Sequence, residues 1–316
     1  MTESAKTMPD TAAGPCKAPG PGDTARTIRL ALIALFLGTV LVSFSGTMVR
    51  LSEVGPLATA FWRMALAIPV MFVWMAIEAR GAPRRSRHRA TPADFALLSL
   101  AGLIFGVEIG IWHIAIGLTS VANATLFSNF SPIVVTLGAV LFLAQPTNRR
   151  FLMGMAIALA GAVVLMSRSV QISAEHAMGD LLALSVSVLF GVYVLIVAYL
   201  RARFGTATIM VWTCAWASLA LLPVALGWED VLLPPTRDGW LIVVFIAVAC
   251  QGLGQSLLTQ ALAHLPAGFS SVGYLVIPAL AATWAWIILG EAIGPEQAIG
   301  GAVILAGVIL ARRGSR

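Results

Sequence analysis

The chain has 316 residues, of which 59% are hydrophobic and 11% charged, with a formal net charge of +6. An ordinary soluble domain is about one-quarter charged, so the composition excludes a soluble globular fold and points to a multi-pass membrane protein. The positive balance belongs to membrane topology rather than to nucleic-acid binding.

Residues 1–25 are rich in Pro, Gly, Ala and Thr. They read as a disordered cytoplasmic tail without the apolar core of a signal peptide. A hydrocarbon layer about 30 Å thick takes roughly 20 apolar residues per helix. Segments of that size fall at 28–50, 56–78, 94–118, 121–143 and 149–167, and again at 179–201, 206–228, 238–264, 266–289 and 294–312. The predicted fold is therefore all-α, with ten transmembrane helices.

The first segment carries Thr39, Ser43, Ser45 and Thr47, hydroxyls able to line a polar path or to join helices. The second carries Arg63 about two turns from its start. The run Arg84-Arg85-Ser86-Arg87-His88-Arg89 that follows reads as a cytoplasmic anchor.

Ionisable residues inside a membrane are costly and mark functional sites. The third segment has two, Glu108 and His113, with Trp112 on the Glu108 face four residues on. Glu108 fits a proton-coupling site or a counter-charge for a substrate ammonium, and equally an ion pair with Arg63 that locks two helices together. His113 shares a face with Gly102, Gly106, Gly110 and Gly117, a seam that favours close packing over ligation.

The fourth segment has the clearest polar stripe, Thr125, Ser128, Asn129, Pro132 and Thr136, within about a 100° arc. A mid-span proline frees a backbone carbonyl, tolerable only beside protein or water. The fifth segment carries Ala156 and Ala160, matched in the tenth by Ala302 and Ala306. These read as scaffold or oligomer contact. The sixth offers Ser185, Ser187 and Tyr193, the eighth Gln251, Gln255 and Thr259, and the ninth Ser271, Tyr274 and Pro278.

The pattern occurs twice. Pro132 and Pro278 share an offset that also superimposes Gly154 on Gly300, Leu159 on Leu305 and Gly161 on Gly307. We place the first five-helix repeat at 26–170 and the second at 171–316. Five spans is an odd number, so the second repeat enters the membrane inverted relative to the first. With the N-terminus inside, sixteen of the twenty Lys and Arg fall in cytoplasmic segments, as the positive-inside rule requires. Both termini are expected in the cytoplasm.

Inverted repeats with matched mid-span prolines are the architecture of secondary transporters. The expected substrate cavity is lined by Ser43, Glu108, Trp112, His113, Ser128, Asn129, Pro132, Tyr193, Gln251, Gln255, Tyr274 and Pro278. Glu108 and Arg63 act as a coupling or ion pair. An intramembrane enzyme would need a nucleophile–base set, a metal cluster or paired carboxylates, and the spans contain none. Neither cofactor nor metal is expected (Cys16, Cys214 and Cys250 lack suitable spacing). The expected partners are a small-molecule substrate and membrane lipid. Proton exchange and facilitated diffusion fit equally, and the oligomeric state is open. A non-transporting scaffold would not need matched stripes in both halves.

Several stretches resemble the drug/metabolite transporter superfamily, in particular its EamA-type members of ten helices. Gly55-Pro56-Leu57-Ala58-Thr59-Ala60-Phe61-Trp62-Arg63 is similar to the family's opening of helix 2. Ser271, Pro278, Leu289-Gly290-Glu291 and Gly300 through Gly307 resemble its second helix 4–5 signature. The first copy departs from it, with Leu143-Ala144-Gln145 where Leu-Gly-Glu is usual. The resemblance implies a bacterial inner-membrane exporter of amino acids or related metabolites. Among family members the chain looks most like the YddG-type amino-acid exporters, whose cavity is framed by helices 1, 3, 4, 6, 8 and 9. Export of cationic or aromatic drug-like compounds is the alternative.

Overall fold

The computed structural model describes residues 21–81, 90–119, 121–167 and 174–315. The tail up to residue 20 and the 84–89 loop lie outside the described residues. Ten helices are long and apolar enough to cross a membrane. They are α1 Thr24–Arg50, α2 Pro56–Glu78, α3 Pro92–Ile116, α4 Asn123–Phe142, α5 Arg149–Met166, α6 Ala177–Leu200, α7 Thr206–Trp228, α8 Arg237–Ala261, α9 Ala267–Leu289 and α10 Pro295–Gly314. No strand occurs among the described residues. Because ten is even, both chain ends emerge on one face, here the terminal side, opposite the distal side.

The helix containing α1 already starts at Pro21, so residues 21–25 are helical rather than part of a disordered tail. Proline fits the first turn of a helix. Other starts are capped locally. Thr91 and Asp94 form a capping box ahead of α3, the Asn148 carboxamide oxygen accepts from Phe151 N–H at 2.9 Å, and the Thr236 hydroxyl accepts from Gly239 N–H at 3.1 Å.

Further caps cross from one half of the chain to the other. The Glu229 carboxylate accepts from Leu57 and Ala58 N–H at 2.7 and 2.8 Å, closing the start of α2 from the α7–α8 loop. Glu78 accepts from Ala207 N–H at 3.3 Å, and Glu53 accepts from the Thr236 hydroxyl at 2.5 Å. Asp94, almost fully buried, holds Arg203 at 2.7 Å. Each places an anion on a helix start or a cation, where it offsets orphan N–H groups.

Small residues set the closest helix pairs. A Cβ on Gly307 would stand 2.4 Å from Ala158 N, and one on Gly154 would stand 2.2 Å from Ala311 N. The α5–α10 scaffold is thus a glycine seam with backbone against backbone. Ala156, Ala160, Ala302 and Ala306 face away from it and are exposed. Gly102 and Gly106 bring α3 close to Trp212, Trp216 and Ala217 of α7, at 2.7–2.9 Å for an added Cβ, so the glycine face near His113 is a packing seam.

Three spans depart from regular α-helix. α4 is interrupted between Ser128 and Ser131, and α9 between Tyr274 and Val276. The offset relating Pro132 to Pro278 places these breaks at equivalent positions of the two halves. Each lies just before its proline, whose ring cannot accept the preceding helical geometry without loss of a hydrogen bond. The polar stripe of α4 is therefore two short arcs. In α8, residues Ile246–Gln255 form a π-helix, without a counterpart in α3. Wide turns of this kind are rare and concentrate at functional sites.

Spans α4 and α9 meet on one side only. The terminal-side pieces, Ser131–Phe142 and Ala267–Tyr274, pack together. The distal pieces make no comparable contact among the described residues, and Val276–Leu289 leans instead on α1. There Trp284 stacks on Phe44 at 3.9 Å and donates from Nε1 to the Ser43 hydroxyl at 2.9 Å.

Candidate functional site

Arg63 reaches from α2 into the bundle, held by two neutral acceptors. Its Nε donates to Gln251 Oε1 at 3.0 Å and its Nη1 to the Ser45 hydroxyl at 2.9 Å. Gln251 is fully buried in the π-helical stretch of α8, and its amide nitrogen lies 3.8 Å from Cys214 Sγ. Gln251 and Gln255, four residues apart, both lie within this wide-turned stretch and are buried.

Glu108 of α3 is 9% exposed. Among the described residues no donor bonds its carboxylate, and it forms no ion pair with Arg63. The direct pair that was one of the expectations is not formed; the guanidinium contacts are with Ser45 and Gln251. Glu108 nonetheless acts electrostatically across the interior on Arg63 and Tyr193. Counting residues from the distal helix ends, Arg63 and Glu108 lie at about 10 and 12 Å depth at 1.5 Å per residue.

An aromatic layer lies on the terminal side of this level. Phe105 stacks on Tyr193 with ring centres 4.6 Å apart, Tyr193 and Phe190 are 6.0 Å apart, and Phe190 meets Tyr274 at 6.1 Å. The Tyr193 hydroxyl points towards Gln255 and Thr213 without a well-formed hydrogen bond, and Thr213 Oγ1 is also buried without a partner. Unsatisfied buried hydroxyls are uncommon and call for a ligand or water.

The other expected residues fall into three positions. His113 donates or accepts through Nδ1 at Ile109 O, 2.8 Å away, with its other ring nitrogen buried and unbonded, and Trp112 touches it edge-on at 5.0 Å. Ser128 bonds Ala124 O at 2.7 Å, while Asn129, at the break of α4, keeps a buried unbonded amide nitrogen. Pro132 and Pro278 are buried beside the breaks. Ser43 serves as acceptor for Trp284 and so ties α1 to α9. Thr213, Cys214, Phe105, Phe190 and the partnership of Ser45 with Arg63 were not expected from sequence. The two phenylalanines stand three residues before Glu108 and Tyr193, which is the one signal that could have found them.

On the terminal side, a cavity of about 360 Å³ opens between α4, α5, α9 and α10, with Gln145, Asn148, Phe151 and Phe269 in its wall. Gln145 accepts from Ala267 N–H at 2.9 Å and so ties the end of α4 to the start of α9. Among the described residues no group of three or more His, Cys, Asp or Glu could hold a metal ion.

A model of the EamA-like transporter family matches the chain twice, over residues 29–167 and 177–313. The chain belongs to this family. Similar proteins include an uncharacterized transporter of Archaeoglobus fulgidus, 25% identical over 88% of this chain and 95% of that protein. The pseudopaline exporter CntI of Pseudomonas aeruginosa is 26% identical over 69% of this chain and 75% of its own length. A probable terminal-alkyne amino-acid exporter of Streptantibioticus cattleyicolor is 26% identical over 73% and 76%. A solved crystal structure superposes with a TM-score of 0.76 at 19% identity, covering 92% of this chain and 98% of the other, which shows a shared fold. The EamA-like assignment makes this a membrane transporter.

Proposed function

We propose that the chain exports amino acids or related small metabolites by alternating access, without ATP, through the space between its two halves. The observation that carries this reading is the one-sided contact of α4 and α9. Two spans broken at equivalent points are closed on the terminal side and parted on the distal side. Exchanging that asymmetry between the halves would open the opposite side. The charge bias assigns the terminal side to the cytoplasm, so this conformation faces out, in a bacterial inner membrane. The exporters among the similar proteins support the direction and the amino-acid-like class of substrate.

A second reading is export of cationic compounds, favoured by the unpaired Glu108 and the nearby Trp112. Arg63 at the same depth opposes it, since a lone cation there meets like charge. Counterflow into proteoliposomes with a panel of amino acids and quaternary amines tests both. Uptake of amines but of no amino acid would replace the first reading with the second.

A further inference from the structure

Among the described residues, Arg63 and Glu108 are a cation and an anion placed well inside the spans, at similar distances from the distal helix ends, and they form no ion pair. Arg63 has five N–H donors, of which two are spent on Ser45 and Gln251. Both acceptors are neutral, so its charge has no counter-ion in contact among the described residues. They also fix the guanidinium from two further helices, α1 and α8, so it is aimed rather than free. The Nη2 nitrogen is left over, as part of the planar fork that grips a carboxylate. Glu108 is in the complementary position. It is 9% exposed, has no hydrogen-bond partner among the described residues, and lies close enough to Arg63 for the two charges to act on each other without contact.

A protein that needed this pair only for stability would let the two charges touch, because separated buried charges retain most of their desolvation cost. Here the two charges do not touch, and Arg63 bonds Ser45 and Gln251 instead.

We propose that Arg63 and Glu108 are the two poles of a zwitterion subsite, Arg63 taking the carboxylate and Glu108 the ammonium of one substrate molecule. This rests on the transport reading and narrows its substrate class to compounds carrying both groups close together. Gln251, which holds the guanidinium, lies within the α8 π-helix. The ligand neutralises both charges at once, whereas a simple amine or a simple acid leaves one pole bare. Leaving a buried charge unpaired is the strongest basis for rejecting an analogue.

The test uses the full chain in proteoliposomes. Leucine, phenylalanine and methionine are each compared with the corresponding decarboxylated amine and deaminated acid, as competitors of counterflow of the best transported amino acid. In the wild type, amine and acid should compete at least ten-fold more weakly than the amino acid. Glu108→Gln should weaken the amino acid about ten-fold or more while leaving competition by the acid as it was. Arg63→Gln should do the reverse, sparing the amine.

Equal competition by amine and amino acid in the wild type overturns the proposal. So does a uniform loss across all three ligands in both variants, or wild-type affinity in both. Should Arg63→Gln fail to fold by thermal unfolding, Arg63→Lys, which keeps charge but loses the fork, takes its place, and Glu108→Gln decides by itself. A wild type that transports no amino acid would instead sink the transport reading on which the subsite rests.

Discussion

Replacing Gly307 by alanine should weaken the joint between α5 and α10 by an amount the geometry fixes. The new Cβ would lie 2.4 Å from Ala158 N and 2.7 Å from both Ala158 Cα and Gly154 O. All three are helix backbone and none can swing aside. Ordinary contact begins near 3.4 Å, so the helices must separate by about 1 Å around this level. A gap of that size forfeits a quarter to a half of each dispersion contact along the seam, and overpacking of this kind costs about 1–3 kcal/mol.

For a chain of this size, that corresponds to a fall in the unfolding temperature on the order of 2–6 °C, read on purified protein in nanodiscs. Ala306→Leu, one residue away on the exposed face, should leave the temperature unchanged. The reasoning fails if Gly307→Ala melts with the wild type. Equal destabilisation by Ala306→Leu would mean that the alanine stripe, and not the glycine seam, is the packed surface.

The remaining expectations concern orientation, capping and the closed side. In a background without Cys16, Cys214 and Cys250, an impermeant thiol reagent added outside intact cells should label a cysteine at position 230 and not one at 87. The opposite pattern would invert the topology. Glu229→Ala removes two charge-assisted hydrogen bonds to the start of α2. It should cost about 1–3 kcal/mol in denaturant unfolding, and no loss would show that water caps the helix equally well. A Cβ on Gly268 would lie 3.7 Å from Thr136 Cα, within disulfide reach. The pair Thr136→Cys and Gly268→Cys should therefore cross-link and stop counterflow until reduced. Full transport by the oxidised form would remove the terminal-side contact from the cycle.

The span count and the two interruptions were legible because apolar length and paired prolines are local signals. Pro132 and Pro278 marked matching places where a backbone carbonyl is freed, and the breaks fall beside them. Partners across helices were less legible, because they depend on rotation of each helix about its axis. Arg63, Glu108 and His113 stood out in sequence as ionisable residues within spans, but the contacts of Arg63 are with Ser45 and Gln251 rather than with Glu108, the pairing that was one of two readings. Ser43 looked equivalent to Ser45 on the same helix, yet it bonds Trp284. The alanines of α5 and α10 matched between repeats and still point outward, since the glycines one or two residues away, on another face, permit the closer approach. The π-helix of α8 was not read from sequence: the stretch from Ile246 to Gln255 carries no proline, and its breakers, Gly252 and Gly254, are common in membrane helices and do not specify a wide turn. Thr213 was hidden in α7 by an apolar surround on every face.

The carboxylates that cross from half to half bear on how the molecule is made. The helix that begins at Pro56 leaves the ribosome long before Glu229 exists to cap it, and Ala207 finds Glu78 already waiting. The first five helices therefore enter the bilayer with one start bare, closed only when synthesis reaches the loop after α7. Neither half is a finished object. Cut between residues 167 and 174 and produced as separate polypeptides, the halves would each lack the other's anions, and co-production should rescue what single production loses.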